Sequence, residues 1–100
     1  MRLTKNFIIN SIHDRKSQIT DLGVKTVGLF GSYCKNTQTE QSDIDLLVDF
    51  QPDEYNYDNF INLCFLFDDL FTDKKVEVVT INSLSPYIGP KILKTVEYVF

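Results

Sequence analysis

The chain is predicted to fold as an α/β domain, a small mixed β-sheet of three to four strands flanked by helices. Short β-branched apolar runs alternate with longer segments whose apolar residues recur at helical spacing. The order helix, strand, short helix, strand, helix, strand, helix is typical of layered α/β domains. The length of 100 residues and the hydrophobic content of 43% suit one modest core, so we expect a single domain over residues 1–100.

The first part of the chain is expected to form a helix, a strand and a short helical turn. Residues 3–22 carry an apolar stripe at helical spacing, and Gly23 is suited to end that helix. KTVGLF, residues 25–30, is short, β-branched and apolar, which favours a strand. Ser32 is expected to cap a helical turn that runs to about Lys35.

DIDLLVDF, residues 43–50, is expected to form the second strand, with alternate residues on opposite faces. One face then carries Ile44, Leu46, Val48 and Phe50, and the other carries Asp43, Asp45, Leu47 and Asp49. Acidic residues are poor strand formers, so two aspartates at the start of an apolar strand require an explanation.

The second half is expected to supply two further helices and a third strand. Residues 56–71 are apolar at helical spacing, with additional apolar side chains that indicate burial on more than one side or an exposed patch. KVEVVTI, residues 75–81, predicts the third strand. The Ser-Pro pair at 85–86 predicts a helix start, the Gly-Pro pair at 89–90 is expected to divide that helix, and residues 97–100 are expected to be extended.

The acidic residues of the two later strands predict a metal-dependent site. Strand geometry places Asp43 and Asp45 on one face, where their like charges repel and a bound divalent cation would remove the repulsion. Carboxylate oxygens suit Mg²⁺. Glu77 lies at the matching place in the third strand, so its carboxylate can join the aspartates if the two strands are neighbours. We therefore expect Asp43, Asp45 and Glu77 to be both catalytic residues and metal ligands.

Gly31 and Ser32 supply a candidate phosphate site at the end of the first strand. The glycine allows a ligand to approach the backbone, and the N–H groups and dipole of the following helical turn favour an anion. Together with the acids, this arrangement suits attack of a hydroxyl on an α-phosphate with loss of pyrophosphate. Each signal also has a purely structural explanation: D-x-D is often the wet face of a strand, and Gly-Ser is a common turn.

The combined spacing resembles a known signature. Gly-Ser, ten residues, then Asp-x-Asp is typical of the DNA polymerase beta-like nucleotidyltransferase superfamily, and Gly31, Ser32, Asp43 and Asp45 match it without a gap. V-E-V-V around Glu77 lies where that family carries its third carboxylate. A domain this small most resembles the minimal nucleotidyltransferases, the antitoxin half of HEPN/MNT toxin–antitoxin pairs.

The resemblance implies a polymerase beta-like palm fold and a defined reaction. Asp43 and Asp45 would hold Mg²⁺, Glu77 would complete the metal site or act as base, and Gly31-Ser32 would bind ATP. AMP would be transferred to a hydroxyl, expected to be a tyrosine of a HEPN-type ribonuclease toxin, which is thereby silenced. The aspartates would occupy their poor place in a strand because a metal requires them there.

Two residues depart from the pattern of the family. Lys35 stands close to where many minimal relatives carry Arg-Gly, and we expect it to contact the nucleotide, although it lacks the bidentate guanidinium fork. Glu77 replaces the usual aspartate, and its extra methylene shifts the carboxylate by about 1 Å, enough to alter a rate.

The composition excludes some classes and leaves two alternatives. A net charge of −4 argues against a broad nucleic-acid-binding surface. We expect neither a signal peptide nor a membrane span, and Cys34 and Cys64 form no disulfide framework, so a cytoplasmic location is expected. The alternatives are a non-catalytic antitoxin that neutralises its toxin by complex formation and a small-molecule, aminoglycoside-type nucleotidyltransferase. The latter needs more structure to hold its acceptor.

Overall fold

The structure, a computed structural model, describes residues 3–100, so the first two residues of the predicted domain lie outside the described part. In chain order the elements are α1 (Lys5–Asp14), α2 (Lys16–Asp21), β1 (Val24–Phe30), α3 (Gly31–Lys35), β2 (Ile44–Phe50), α4 (Tyr57–Leu70), β3 (Val76–Thr80), a 3₁₀ turn (Ile81–Ser83), α5 (Gly89–Thr95) and β4 (Glu97–Tyr98). The predicted α/β class and strand number are confirmed.

The four strands form one mixed sheet in the order β3-β2-β1-β4. β1 is antiparallel to both of its neighbours, whereas β2 and β3 are parallel and are connected through α4. A parallel pair needs such a crossover, because a tight turn can join only antiparallel strands. The core lies between one sheet face and the helices and includes Ile8, Ile12, Ile19, Val27, Leu29, Ile44, Leu46, Val48, Leu63, Phe67 and Phe71.

The prediction of one helix over residues 3–22 is wrong, because the helix is interrupted at Arg15. There the backbone departs to φ −103° and ψ 13° between α1 and α2. Residues 13–18 are all exposed, so no apolar side chain holds this stretch against the sheet. Gly23, at φ 83°, ends α2 in the left-handed conformation expected of a helix stop.

Two predicted helix starts are also wrong. Ser32 is not an N-cap, because Gly31 turns the chain at φ 77° and α3 begins there, with Phe30 as its cap. The Ser-Pro pair at 85–86 forms a turn, in which the backbone N–H of Gly89 donates to the carbonyl oxygen of Ser85 at 2.7 Å. Gly89 and Pro90 begin α5 rather than divide a helix, because proline has no N–H to lose in a first turn.

The remaining elements lie within one or two residues of their predicted bounds. Asn56 caps α4 by accepting a hydrogen bond from the Asn59 backbone N–H at 2.9 Å. The extended end of the chain pairs with β1 as β4. No helix within residues 3–100 combines the length and apolar character needed to cross a membrane.

Candidate active site

Strand pairing brings Asp45 beside the two other segments that the sequence singled out. In the antiparallel β1–β2 pair Asp45 lies opposite Phe30, the residue before Gly31. In the parallel β2–β3 pair Asp45 lies opposite Glu77. Because the alternate residues of β2 point into the core, Asp45 and Glu77 lie on the opposite sheet face, which we call the acid face.

Gly31 is in direct contact with the Asp45 side chain. A Cβ added to Gly31 would overlap the Oδ2 atom of Asp45 and would lie 3.1 Å from its Cγ atom. The backbone at Gly31 also has φ 77°, a region in which residues with a side chain are strained. Two independent constraints, conformation and space, therefore require glycine where the chain leaves β1.

Asp45 and Glu77 are cross-strand partners on the acid face, where their like charges repel. Burial first, then the charge of Glu77 and the nearby Asp43, raise the pKa of Asp45 to about 6. The Glu77 carboxylate also lies 3.4 Å from the Lys75 ammonium. The acid face thus concentrates negative charge that is only partly compensated within the chain.

The donor set fits a divalent cation in its chemistry. Asp43, Asp45 and Glu77 offer hard oxygen atoms, and a bound cation would relieve the repulsion that raises the Asp45 pKa. Within residues 3–100, however, no three Asp, Glu, His or Cys side chains are already grouped as a metal site.

The other predicted site residues lie around this centre. Asp43 is half-buried and precedes β2 by one residue, so the predicted strand start at residue 43 is wrong by one position. Ser32 lies in the first turn of α3. Lys35 is exposed at the end of the same helix, followed by Asn36 in the left-handed conformation.

Sequence reasoning missed the C-terminal segment that covers the acid face beside these residues. A Cβ added to Gly28 would meet the Cγ2 atom of Val96 and would lie 3.3 Å from the Cδ1 atom of Tyr98. Gly28 lies opposite Leu47, which is fully buried although it shares a face with Asp45. The available signal was Gly28 itself, because glycine inside a strand often marks close approach of another segment.

A cleft of about 800 Å³ lies apart from the acids, and none of the predicted site residues lines it. It opens between α1, the connection after α3 and the α4–β3 loop, and its lining includes Phe7, Tyr33, Gln38, Phe71 and Lys74. We give the acid face priority over this cleft because the acid face combines strand register, close glycine packing and a perturbed carboxyl group.

Comparison with known proteins assigns the chain to a family. Residues 9–100 match the family described as polymerase beta, nucleotidyltransferase. The chain belongs to this family. The resemblance that the sequence motifs indicated is therefore confirmed, and the chain is a nucleotidyltransferase of the polymerase beta type.

Two relatives of this nucleotidyltransferase are named for the same kind of transfer. MJ1379 of Methanocaldococcus jannaschii, named by inference as a protein adenylyltransferase, is 40% identical over 76% of this chain and 77% of its own length. Protein adenylyltransferase MntA of Thermococcus cleftensis is 36% identical over 77% of this chain and 76% of its own length.

Two solved structures share the nucleotidyltransferase fold. A protein described as a minimal nucleotidyltransferase has a TM-score of 0.81 at 22% identity and covers 96% of both chains. The second structure is described as tri-AMPylated HEPN toxin of Shewanella oneidensis in complex with MNT antitoxin. It has a TM-score of 0.62 at 18% identity over 92% of this chain and 71% of that chain. At these identities the two structures establish the fold alone.

Proposed function

We propose that this nucleotidyltransferase is a protein adenylyltransferase that moves AMP from ATP to a tyrosine hydroxyl of a HEPN-type toxin ribonuclease, and so acts as its antitoxin in the cytoplasm. The observation that carries the proposal is the position of Asp45, whose carboxyl lies against Gly31 and whose strand partner is Glu77. It unites a candidate phosphate turn with candidate catalytic acids. The relatives named as protein adenylyltransferases support the same reaction.

In the proposed reaction the acceptor oxygen bonds to the α-phosphorus of ATP, and the bond from that phosphorus to the β-phosphate oxygen breaks. Pyrophosphate leaves, and the hydroxyl proton passes to a carboxylate of the chain. Mg²⁺, when bound by Asp43, Asp45 and Glu77, would neutralise charge on the phosphates and the leaving group. Glu77 is the candidate base, because its side chain is exposed and can meet an incoming hydroxyl.

The remaining proposed roles concern nucleotide binding. The backbone N–H groups of Gly31 and Ser32 open α3 without helical partners and are suited to hold phosphate oxygens. Lys35 adds a positive charge at the end of the same helix. Lys75 adds a second positive charge, at the side of Glu77.

The position of a radioactive label tests this reaction. The product of the neighbouring gene, expected to be a HEPN-type toxin, would be incubated with the chain, Mg²⁺ and ATP labelled at either the α- or the γ-phosphate. Transfer of AMP predicts incorporation of the α-label only, whereas a kinase would incorporate the γ-label. Asp45→Asn should abolish incorporation. Asp49→Asn, which alters the same face of β2 away from the site, is the matched control and should retain it.

A non-catalytic antitoxin is the second candidate, because the acids are not already grouped as a metal site within residues 3–100. This reading predicts that toxin is neutralised without incorporation of either label. It also predicts that Asp43→Asn/Asp45→Asn neutralises the toxin as well as the natural sequence does.

A further inference from the structure

Exposed apolar side chains are concentrated near the C-terminal end of the chain. Tyr87, Ile88, Leu93 and Tyr98 have exposed fractions of 87%, 58%, 48% and 48%. We call these four residues the C-terminal patch. Four large apolar residues left in water within twelve positions are typical of an interaction surface rather than of a solvated loop.

One residue of the C-terminal patch, Tyr98, lies on the acid face, and α5, which carries Leu93, is joined to α3. The ring of Tyr98 lies against Gly28 on the acid face. At the end of α5 the carbonyl oxygen of Thr95 accepts a hydrogen bond from the Cys34 thiol at 3.4 Å, which fixes α5 to α3. Since α3 begins at Gly31 in contact with Asp45, one short helix separates the patch from the catalytic acids.

The other strongly exposed apolar residues on a helix face the opposite direction. Tyr57 and Phe65 of α4 are 77% and 65% exposed. Leu63 and Phe67 of the same helix pack into the core on the other side of the sheet from the acids. A protein that presents a hydroxyl to the acid face must cover that face, and the sheet then separates it from the outer surface of α4.

Charge also distinguishes the two surfaces. Lys91 and Lys94 are exposed on α5 between residues of the patch, and the one acid among them, Glu97, is paired with Lys5 at 2.7 Å. α4 instead carries Asp58, Asp68 and Asp69 and no basic residue. Complementary charge at the rim of an interface directs encounter and orientation, so the patch suits an apolar partner surface edged with acidic side chains.

We propose that the C-terminal patch is the docking surface for the protein whose hydroxyl receives AMP, and that this acceptor presents an apolar surface with an acidic rim. The inference rests on the proposed function, because it takes the acceptor to be a protein. Docking there places the acceptor across the acid face and gives the chain specificity through contacts remote from the transferred group.

Exposed-residue variants test the docking surface without disturbing the core. Ile88→Asp and Leu93→Asp place a negative charge on the patch, and Phe65→Asp makes the matched change on α4 at a similar exposure. For each variant we would measure kcat/KM for AMP transfer to the HEPN-type protein and the Kd of their complex. The affinity of the chain alone for the non-hydrolysable analogue AMPCPP with Mg²⁺ reports whether the nucleotide site is intact.

Each patch variant should lose at least about tenfold in kcat/KM, the effect expected for a central interface residue. The affinity for AMPCPP should be unchanged, and Phe65→Asp should have no effect. Patch variants that transfer AMP at the natural rate would overturn the docking surface and leave the proposed function standing. If the natural chain transfers no AMP but the patch variants alone lose the complex, the surface stands and the adenylyltransferase fails. A loss of complex confined to Phe65→Asp would assign docking to α4 instead.

Discussion

Replacing Gly31 with alanine should damage the fold and the candidate site together, because the new Cβ atom would overlap Asp45. A residue with a side chain in the left-handed region costs about 1–2 kcal/mol. Displacing the Asp45 carboxyl adds about 1–2 kcal/mol, the usual cost of forcing one extra carbon into a packed place. We therefore expect Gly31→Ala to lower the free energy of unfolding by about 2–4 kcal/mol, a large share of the ~5–15 kcal/mol of a typical domain.

The two contributions can be separated by a double-mutant cycle, with unfolding in urea followed by circular dichroism. In an Asp45→Ala background the carboxyl is absent, so Gly31→Ala should cost mainly the backbone strain of about 1–2 kcal/mol, with a smaller cost from the Cβ atom that remains at position 45, 3.2 Å from the added one. The coupling between the two positions is then about 1–2 kcal/mol. Gly89→Ala is a useful control, because its backbone lacks the left-handed conformation and its Cβ would meet the Leu84 Cβ atom at 3.2 Å. It should cost less than half as much as Gly31→Ala.

Absence of coupling would refute this reasoning. If Gly31→Ala destabilises the protein equally with and without the Asp45 carboxyl, the two residues are not in the contact described. A loss below about 0.5 kcal/mol, the size of an ordinary surface change, would contradict the strain argument as well.

Three further predictions concern other parts of the fold. The fold raises the Asp45 pKa from 3.8 to about 6. The stabilisation that comes from the protonated carboxyl is therefore fully present below about pH 4 and is lost as the pH rises through 6. Asp45→Asn should therefore raise the free energy of unfolding by about 1 kcal/mol at pH 8, a value discounted because the carboxyl is half-exposed. Urea unfolding at about pH 4 and pH 8 measures this change, and a lower free energy of unfolding at pH 8 would contradict it. Gly28→Ala should displace Val96, lower the free energy of unfolding by about 1–3 kcal/mol and speed amide hydrogen exchange in β4. Unchanged exchange would show that the C-terminal segment does not pack against Gly28. Asn56→Ala should remove the hydrogen bond that caps α4 at the Asn59 N–H and lower the free energy of unfolding by about 1 kcal/mol, as measured by thermal unfolding. Asn56→Asp should retain most of this stability.

Much of the acid face could be predicted from the sequence, because local patterns determine which face of a strand each residue occupies. The alternation from Ile44 to Phe50 correctly placed Asp45 on the sheet face that points away from the core. The match to a family signature gave the neighbouring strands, and the structure places Glu77 beside Asp45 as that required.

The remaining features depend on tertiary contacts that no local pattern encodes. The break at Arg15 follows from a stretch with no core contact, although its sequence is compatible with a helix. The shift of the α3 start from Ser32 to Gly31 depends on how closely the Asp45 side chain approaches that turn. The pairing of Asp45 with Glu77 depends on the register of two strands separated by a whole helix.

The most direct test of the central claim is the intact mass of the neighbouring gene's product, expected to be a HEPN-type toxin, after incubation with the chain, ATP and Mg²⁺. The proposed function predicts a gain of one or more AMP units with the natural sequence and no gain with Asp43→Asn/Asp45→Asn. Unchanged mass in both reactions, with a stable complex and full neutralisation of the toxin by the double variant, would contradict the enzyme. The chain would then act as an antitoxin through binding alone.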